Sequence, residues 1–451
     1  MHRDKIVVAQ YVAQVNQAAR DINEQATGRV TNAEAETDAN RLEVVRAHNE
    51  LFETYGRKVE VVKLQASGSN TDDAAARADA IKAATEIKAF AVMGGPTGTN
   101  AFADELAANK VICLCTSSQP IESYLRWAPY VWSGLMSSTQ GYLHRTQYVS
   151  TKLAGKPAQY AGDPAFKTKT RTFGLVYYET ADNAYKSGAE FFQKELAAKN
   201  VQLADSIPYL LDLAKAPEDA KGIIARLKDK GVTTVALASD AQFPIFLTKE
   251  ATNQNYFPEW FVTGSTGTDT ATYGRQYDAQ QWKNAFGISY LLARVAPEVE
   301  QAEVNYVNWH LGEELSSYPS ITDWLRLFTG IHLAGPKLTP ETFRDGLFSF
   351  KPVRGHITQF GSSYGKGLWP WDDYLAADDV AELWWDPAAE ELVGGVPRKG
   401  MYRYVNMGKR YLPGELPAEL KVFDPAGTSL LYTARPEGDK PPQYPRRPGR
   451  T

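Results

Sequence analysis

Five short segments of this 451-residue chain place small and hydroxyl-bearing residues directly behind apolar runs. They read GGPTGTN after FAVM, CTSSQP after KVICL, ETADNAY after FGLVYY, SDAQ after TTVALA, and GSTGTD after EWFVT. Glycine lets the backbone approach a ligand closely, and hydroxyls with unpaired amides bind carboxylate or carbonyl oxygens. The chemistry on offer is therefore non-covalent capture of a small polar molecule. Tyr11, Trp132, Tyr177, Tyr178 and Tyr185 fall near the same predicted strand ends, where aromatic faces can enclose an apolar part of a ligand.

Catalytic chemistry finds less support. Cys115 opens one of these turns, but no histidine can be placed beside it, so it is expected to be a small buried thiol lining the pocket. The six histidines show neither HExxH nor Cys/His metal spacing. GGPTGTN lacks the lysine of a phosphate loop, and no GxGxxG follows the first strand. Neither an enzyme nor a cofactor is expected. Cys113 and Cys115 are the only cysteines; on one strand they face the same side without the geometry for a mutual bridge.

Each turn lies between an apolar strand and a helix. KIVVAQYV, KVEVVKLQ, FAVM and KVICL form one series, and FGLVYY, TTVALA and EWFV a second. Such alternation implies parallel sheets covered by helices, with ligands in the crevice beyond the carboxyl ends of the strands. The chain is longer than the roughly 250–300 residues at which a single core stops growing, so two lobes are expected. Charged residues make up 23% and the net charge is −4, which gives no basic excess for nucleic acid. No apolar run approaches the roughly 20 residues of a membrane span. MHRDKIVV passes from a charged start straight into a strand, which fits either a cytoplasmic protein or one whose export segment has been removed.

Strands are expected at 5–11, 58–64, 89–93 and 110–115, then at 172–178, 233–238, 259–263 and 285–291. Helices are expected at 39–55, from 71 or 72 to 88, at 100–108 and 140–154, then at 184–198, 216–230 and 242–252. Helices at 297–315, 320–334 and 339–347 have no strands of their own and are expected to return to the first lobe. GHITQF, LWPWDDY and VAELWWDPAAEEL read as short strands completing the second, with Trp369, Trp371, Trp384 and Trp385 in its core. The acids Asp372, Asp373, Asp378 and Asp379 read as a solvated loop. From Pro413 the proline-rich sequence reads as an extended tail.

From Lys5 to about Gly395 the order of elements resembles the type 1 periplasmic solute-binding proteins, in particular the branched-chain amino-acid-binding branch serving ABC importers. YGRKVEVVKLQASGSNTDDAAARADAI, FAVMGGPTGTNAFADELAANKVICLCTSSQPIESYLRWAPYVW, FGLVYYETADNAYKSGAEFF and ELWWDPAAEE carry the resemblance. It implies two Rossmann-like α/β lobes joined by strand crossovers: 1–137 with 291–351, and 138–290 with 352–400, leaving 401–451 as a proline-rich extension. It further implies a non-enzymatic, extracytoplasmic receptor with a membrane permease as partner. A ligand-sensing module signalling to a protein is the alternative on the same scaffold.

In that family the ligand lies between the lobes, held by turns at strand ends. The matching positions are Gly95, Thr97, Gly98 and Thr99, then Cys115, Thr116, Ser117, Ser118 and Gln119, in the first lobe. In the second they are Asn183, Tyr185, Ser239, Asp240, Gly264, Ser265 and Thr266. Amino-acid-binding members commonly carry an acid after the last strand to meet the ligand's ammonium, where this chain has Ser265 and Thr266. Asp240 and Asp269 are the candidates to replace it. The solute is expected to be a carboxylate, amide, amino-acid-like or aromatic metabolite.

Overall fold

The computed structural model describes residues 4–14, 34–116, 118–180, 183, 185–264, 267–292, 310, 321–357, 359–393 and 396–428. Strands β1 (Lys5–Val12), β2 (Lys58–Gln65), β3 (Ala91–Met93) and β4 (Ile112–Leu114) form a parallel sheet in the order β2-β1-β3-β4. Helices α1 (Glu34–Leu51), α2 (Asp73–Thr85), α3 (Ala101–Ala108) and α4 (Ile121–Trp127) connect and follow these strands. Side chains alternate along β1, so Ile6 and Val8 face one core while Ala9 and Tyr11 face another with α2 and α3. Both faces of the sheet are covered, which explains why its strands are apolar runs.

The second sheet takes its first five strands in parallel: β5 (Phe173–Glu179), β6 (Leu203–Leu210), β7 (Thr234–Ala238), β8 (Glu259–Val262) and β9 (Ala285–Ser289). Three antiparallel strands complete it, β10 (Val380–Val393), β11 (Val396–Tyr404) and β12 (Arg410–Tyr411). Its order is β11-β10-β9-β8-β7-β5-β6, with β12 on β10. Helices α5 (Ser138–Tyr148), α6 (Lys186–Ala197), α7 (Ala216–Asp229) and α8 (Phe243–Asn253) pack here, with short α9 (Ala271–Gly274) and α10 (Ala279–Trp282). Ser137 and Gln140 start α5 with a reciprocal capping box. Two buried ion pairs, Arg171–Glu259 and Lys152–Glu382, tie this lobe internally.

Helices α11 (Ile321–Ala334) and α12 (Pro340–Phe348) return to the first sheet. Trp324, Leu327, Phe328 and Phe343 share a core with Val8, Met93 and Trp132. The two α/β lobes and this return agree with the sequence. Most of the helix expected at 297–315 lies outside the described residues. Two of the segments passing between lobes run side by side, Ser133 pairing with Leu375 in parallel.

Several expectations are corrected. β6 was not anticipated: its Pro208 and half-exposed pattern are those of an edge strand. LWPWDDY is a loop crossing between the lobes, stacked on itself through Trp369 and Trp371 at 5.8 Å. Asp373, Asp378 and Asp379 are buried, not solvated. Gln140 and the Leu375 amide bond Asp373, Ser363 and Trp369 bond Asp378, and Arg410 pairs with Asp379 at 2.7 Å. Cys113 and Cys115 form a disulfide. β4 ends at Leu114, and the chain bends so that the two Cα atoms stand 5.1 Å apart, within bridging range. Residues 401–404 complete β11, and beyond Pro413 Leu416 and Val422 are buried in the second lobe's core instead of trailing as a tail.

Candidate functional site

At the carboxyl ends of β1, β3 and β4 a cavity of about 240 Å³ opens in the first lobe. Gln10, Gly95, Thr97, Thr116, Arg41 and Asp323 are among its lining residues. Gln10 donates from Nε2 to the Met93 carbonyl at 3.1 Å, fastening the β1 end to β3. Gly95 has to be glycine, because a Cβ there would come within 2.7 Å of the Cys115 carbonyl oxygen. The two turns flanking the cavity are thus packed backbone against backbone.

The other first-lobe candidates divide between shaping the turns and facing the opposite lobe. Thr99 bonds Asp73 and accepts from the amide of Ala101, the first residue of α3, at 3.0 Å. Thr116 and Tyr124 share a hydroxyl bond of 3.1 Å, and Ser118 donates to the Met136 carbonyl at 2.8 Å. Gln119 is buried, and its carbonyl accepts from the Ser138 amide at the start of α5. Cys115 is half of the disulfide, so it lines the cavity as an oxidised sulfur and offers no thiol. Ser117 lies outside the described residues.

Across a narrow gap, Thr97, Gly98, Thr99, Asn100 and Gln119 meet Thr180 and Tyr185 of the second lobe. Glu179 ends β5 and shapes that loop: its Oε1 accepts from the Thr180 and Tyr185 amides at 2.9 Å each. Asn183 takes the left-handed conformation at φ 59° within it, and Tyr185 leans on Tyr178 at 5.6 Å. Burial raises the phenols of Tyr142 and Tyr177 beside this loop, Tyr142 to about 12. Both are neutral and act as hydroxyls and apolar faces.

Ser239 and Asp240 are turned into the second lobe. Ser239 bonds the Tyr209 hydroxyl at 2.6 Å, and Asp240 bonds the same hydroxyl and caps α8 through the Gln242 and Phe243 amides. Gly264 carries φ +74°; Ser265 and Thr266 lie outside the described residues. Asp269 is buried and bonded to Ser289, and burial lifts its carboxyl to about 6. Asp240 is thus bonded to a phenol and to two amides at the start of α8.

Arg145 was not among the sequence candidates. It stands on α5, and its Nε donates to the Thr263 carbonyl at 3.0 Å, directly behind β8. Its guanidinium lies 4.5 Å over the Tyr142 ring. In sequence it looks like an ordinary basic residue of a polar helix, GYLHRTQY; only the burial of its neighbours Gly141, Tyr142 and His144 distinguishes it.

No protein-family model matches the chain, and a search of curated proteins finds no match. Solved structures do match. A Rhodopseudomonas palustris ABC-transporter solute-binding protein in complex with 4-hydroxybenzoate is 14% identical, with 91% of this chain and 98% of that one covered at a TM-score of 0.56. The branched-chain amino-acid transporter substrate-binding protein LivJ of Streptococcus pneumoniae, in complex with isoleucine, is 14% identical over 91% and 100%, at 0.54. A Brucella ovis leucine-, isoleucine-, valine-, threonine- and alanine-binding protein in a closed conformation is 11% identical over 91% and 96%, at 0.61. At such identities the likeness is one of fold: the chain has the type 1 periplasmic binding-protein fold, that of ABC-transporter solute-binding proteins.

Proposed function

We propose that this chain is the solute-binding component of an ABC importer, capturing a small polar organic molecule between its lobes. One observation carries the reading. Turns at the carboxyl ends of strands in both lobes, Thr97–Asn100 with Gln119 and Thr180 with Tyr185, face each other across one gap beside a 240 Å³ cavity. That is where open α/β sheets hold ligands. Proteins of the same fold are seen with 4-hydroxybenzoate and isoleucine, which supports a solute of that size.

In this reading lobe 1 is 1–137 with 291–351, and lobe 2 is 138–290 with 352–400, continued by the packed residues 401–428. The paired crossing at Ser133 and Leu375 serves as part of the hinge, and solute contacts with both lobes favour the closed form. An extracytoplasmic location and a membrane permease follow from the role. No bond is made or broken. The test is a thermal-shift panel of carboxylates, amides, amino acids, sugars and polyamines, because a ligand that binds only the folded chain raises its midpoint. A reproducible shift with one chemical class, and recovery of that solute unchanged, is the expected result. No shift with any class, together with no co-purified molecule in native mass spectrometry, would refute it.

A further inference from the structure

We infer that the solute is an anion whose carboxylate pairs with Arg145, an inference that rests on the solute-binding reading above. Arg145 is 5% exposed. Among the described residues its one hydrogen bond is Nε to the Thr263 carbonyl, and no carboxylate lies within ion-pair distance. A guanidinium carries five donors and remains charged at any physiological pH. Burying one with so few partners is unfavourable unless something anionic completes the site.

Its position fits that role. The Thr263 carbonyl belongs to the turn at the carboxyl end of β8, which leads through Gly264 into the last predicted ligand turn. A Cβ built on Gly141, one helical turn back, would lie 3.4 Å from Nη2. The guanidinium therefore points back along α5 towards its first turn, where Ser138 bonds the Gln119 carbonyl of the first lobe.

Two acids lie in the surroundings, and neither bonds the guanidinium. Asp269 bonds Ser289 through Oδ2, leaves Oδ1 without a partner among the described residues, and acts on Arg145 through space without an ion pair, while burial raises its carboxyl to about 6. Glu179, beyond Tyr142, is fixed through Oε1 to the amides of its own loop and likewise leaves Oε2 without a partner among the described residues. Tyr142 lies under the guanidinium, and Tyr185 lines the gap. An acid with an aromatic or other apolar body suits such surroundings better than a sugar or a polyamine.

The test compares 4-hydroxybenzoate with 4-hydroxybenzamide on the unaltered protein, then repeats the titration on Arg145→Gln and Arg145→Lys. The acid should bind and the amide should bind about 10- to 100-fold more weakly, the range for a charge-assisted pair. Arg145→Gln should lose a similar factor for the acid, and Arg145→Lys should recover part of it. Equal binding of acid and amide, a requirement that needs no variant, would overturn the inference. So would an Arg145→Gln protein that folds and binds the acid as the parent does. If the panel returns only neutral or cationic solutes, the anion assignment fails while the solute-binding reading stands; if it returns none, both fail.

Discussion

Replacing Asp378 by Asn should remove much of the pH dependence of stability. Asp378 and Asp373 are each 1% exposed, and burial together with the neighbouring Asp378 charge holds the Asp373 carboxyl well above the usual carboxylate range. Burial lifts the Asp378 carboxyl from 3.8 to about 7. A folded pKa above the unfolded one means that the native chain binds the extra proton between those values, and stability falls as pH rises through that window. From about pH 5 to pH 8 the fall for this single site is roughly 3 kcal/mol. Asparagine imitates the protonated acid: Oδ1 can accept from Trp369, and Nδ2 can donate to the Ser363 hydroxyl. Asp378→Asn should therefore be close to the parent at pH 5 and more stable at pH 8. Urea unfolding of both proteins across this range measures the difference; parallel curves would refute the reasoning.

Two further outcomes are expected. Arg171→Met should destabilise the second lobe by about 3–5 kcal/mol, since it leaves Glu259, fully buried and bonded bidentately at 2.7 and 2.9 Å, without its cation; unfolding titrations read the loss, and a change below about 1 kcal/mol would show that the pair is not closed in solution. Tyr185→Ala should weaken 4-hydroxybenzoate binding about 2- to 10-fold, the range for an aromatic contact, with little effect on melting; calorimetry at unchanged affinity would place the solute away from the gap.

The sequence was legible where one kind of residue serves one purpose. Val, Ile and Ala runs become strands because both sheet faces are covered, and Gly95 marks a turn because the Cys115 carbonyl leaves no room for a side chain. It misled where the reason for a residue lies far along the chain. The acids of WDDYLAADD look solvated by composition, yet three of the four, Asp373, Asp378 and Asp379, are bonded in the interior by Gln140, Ser363 and Arg410. Arg145 looked like helix surface for the same reason: its burial is decided by β8 and by its own neighbours on α5, not by the residues between which it is written. The edge strand β6 escaped because half of its side chains face water and Pro208 interrupts its pattern. Cys113 and Cys115 lack bridging geometry on a straight strand, but β4 stops between them.

The late return of the chain has a consequence for biosynthesis. Leu327, Phe328 and Phe343 close one face of the first sheet long after its strands are made, and β10 covers the free edge of β9 only once Val380 and its successors have emerged. A growing chain thus cannot cover that face of the first sheet before Phe343 is made, nor the β9 edge before Val380. Until then the open edge of β9 and the uncovered face of the first sheet are surfaces able to pair with other chains.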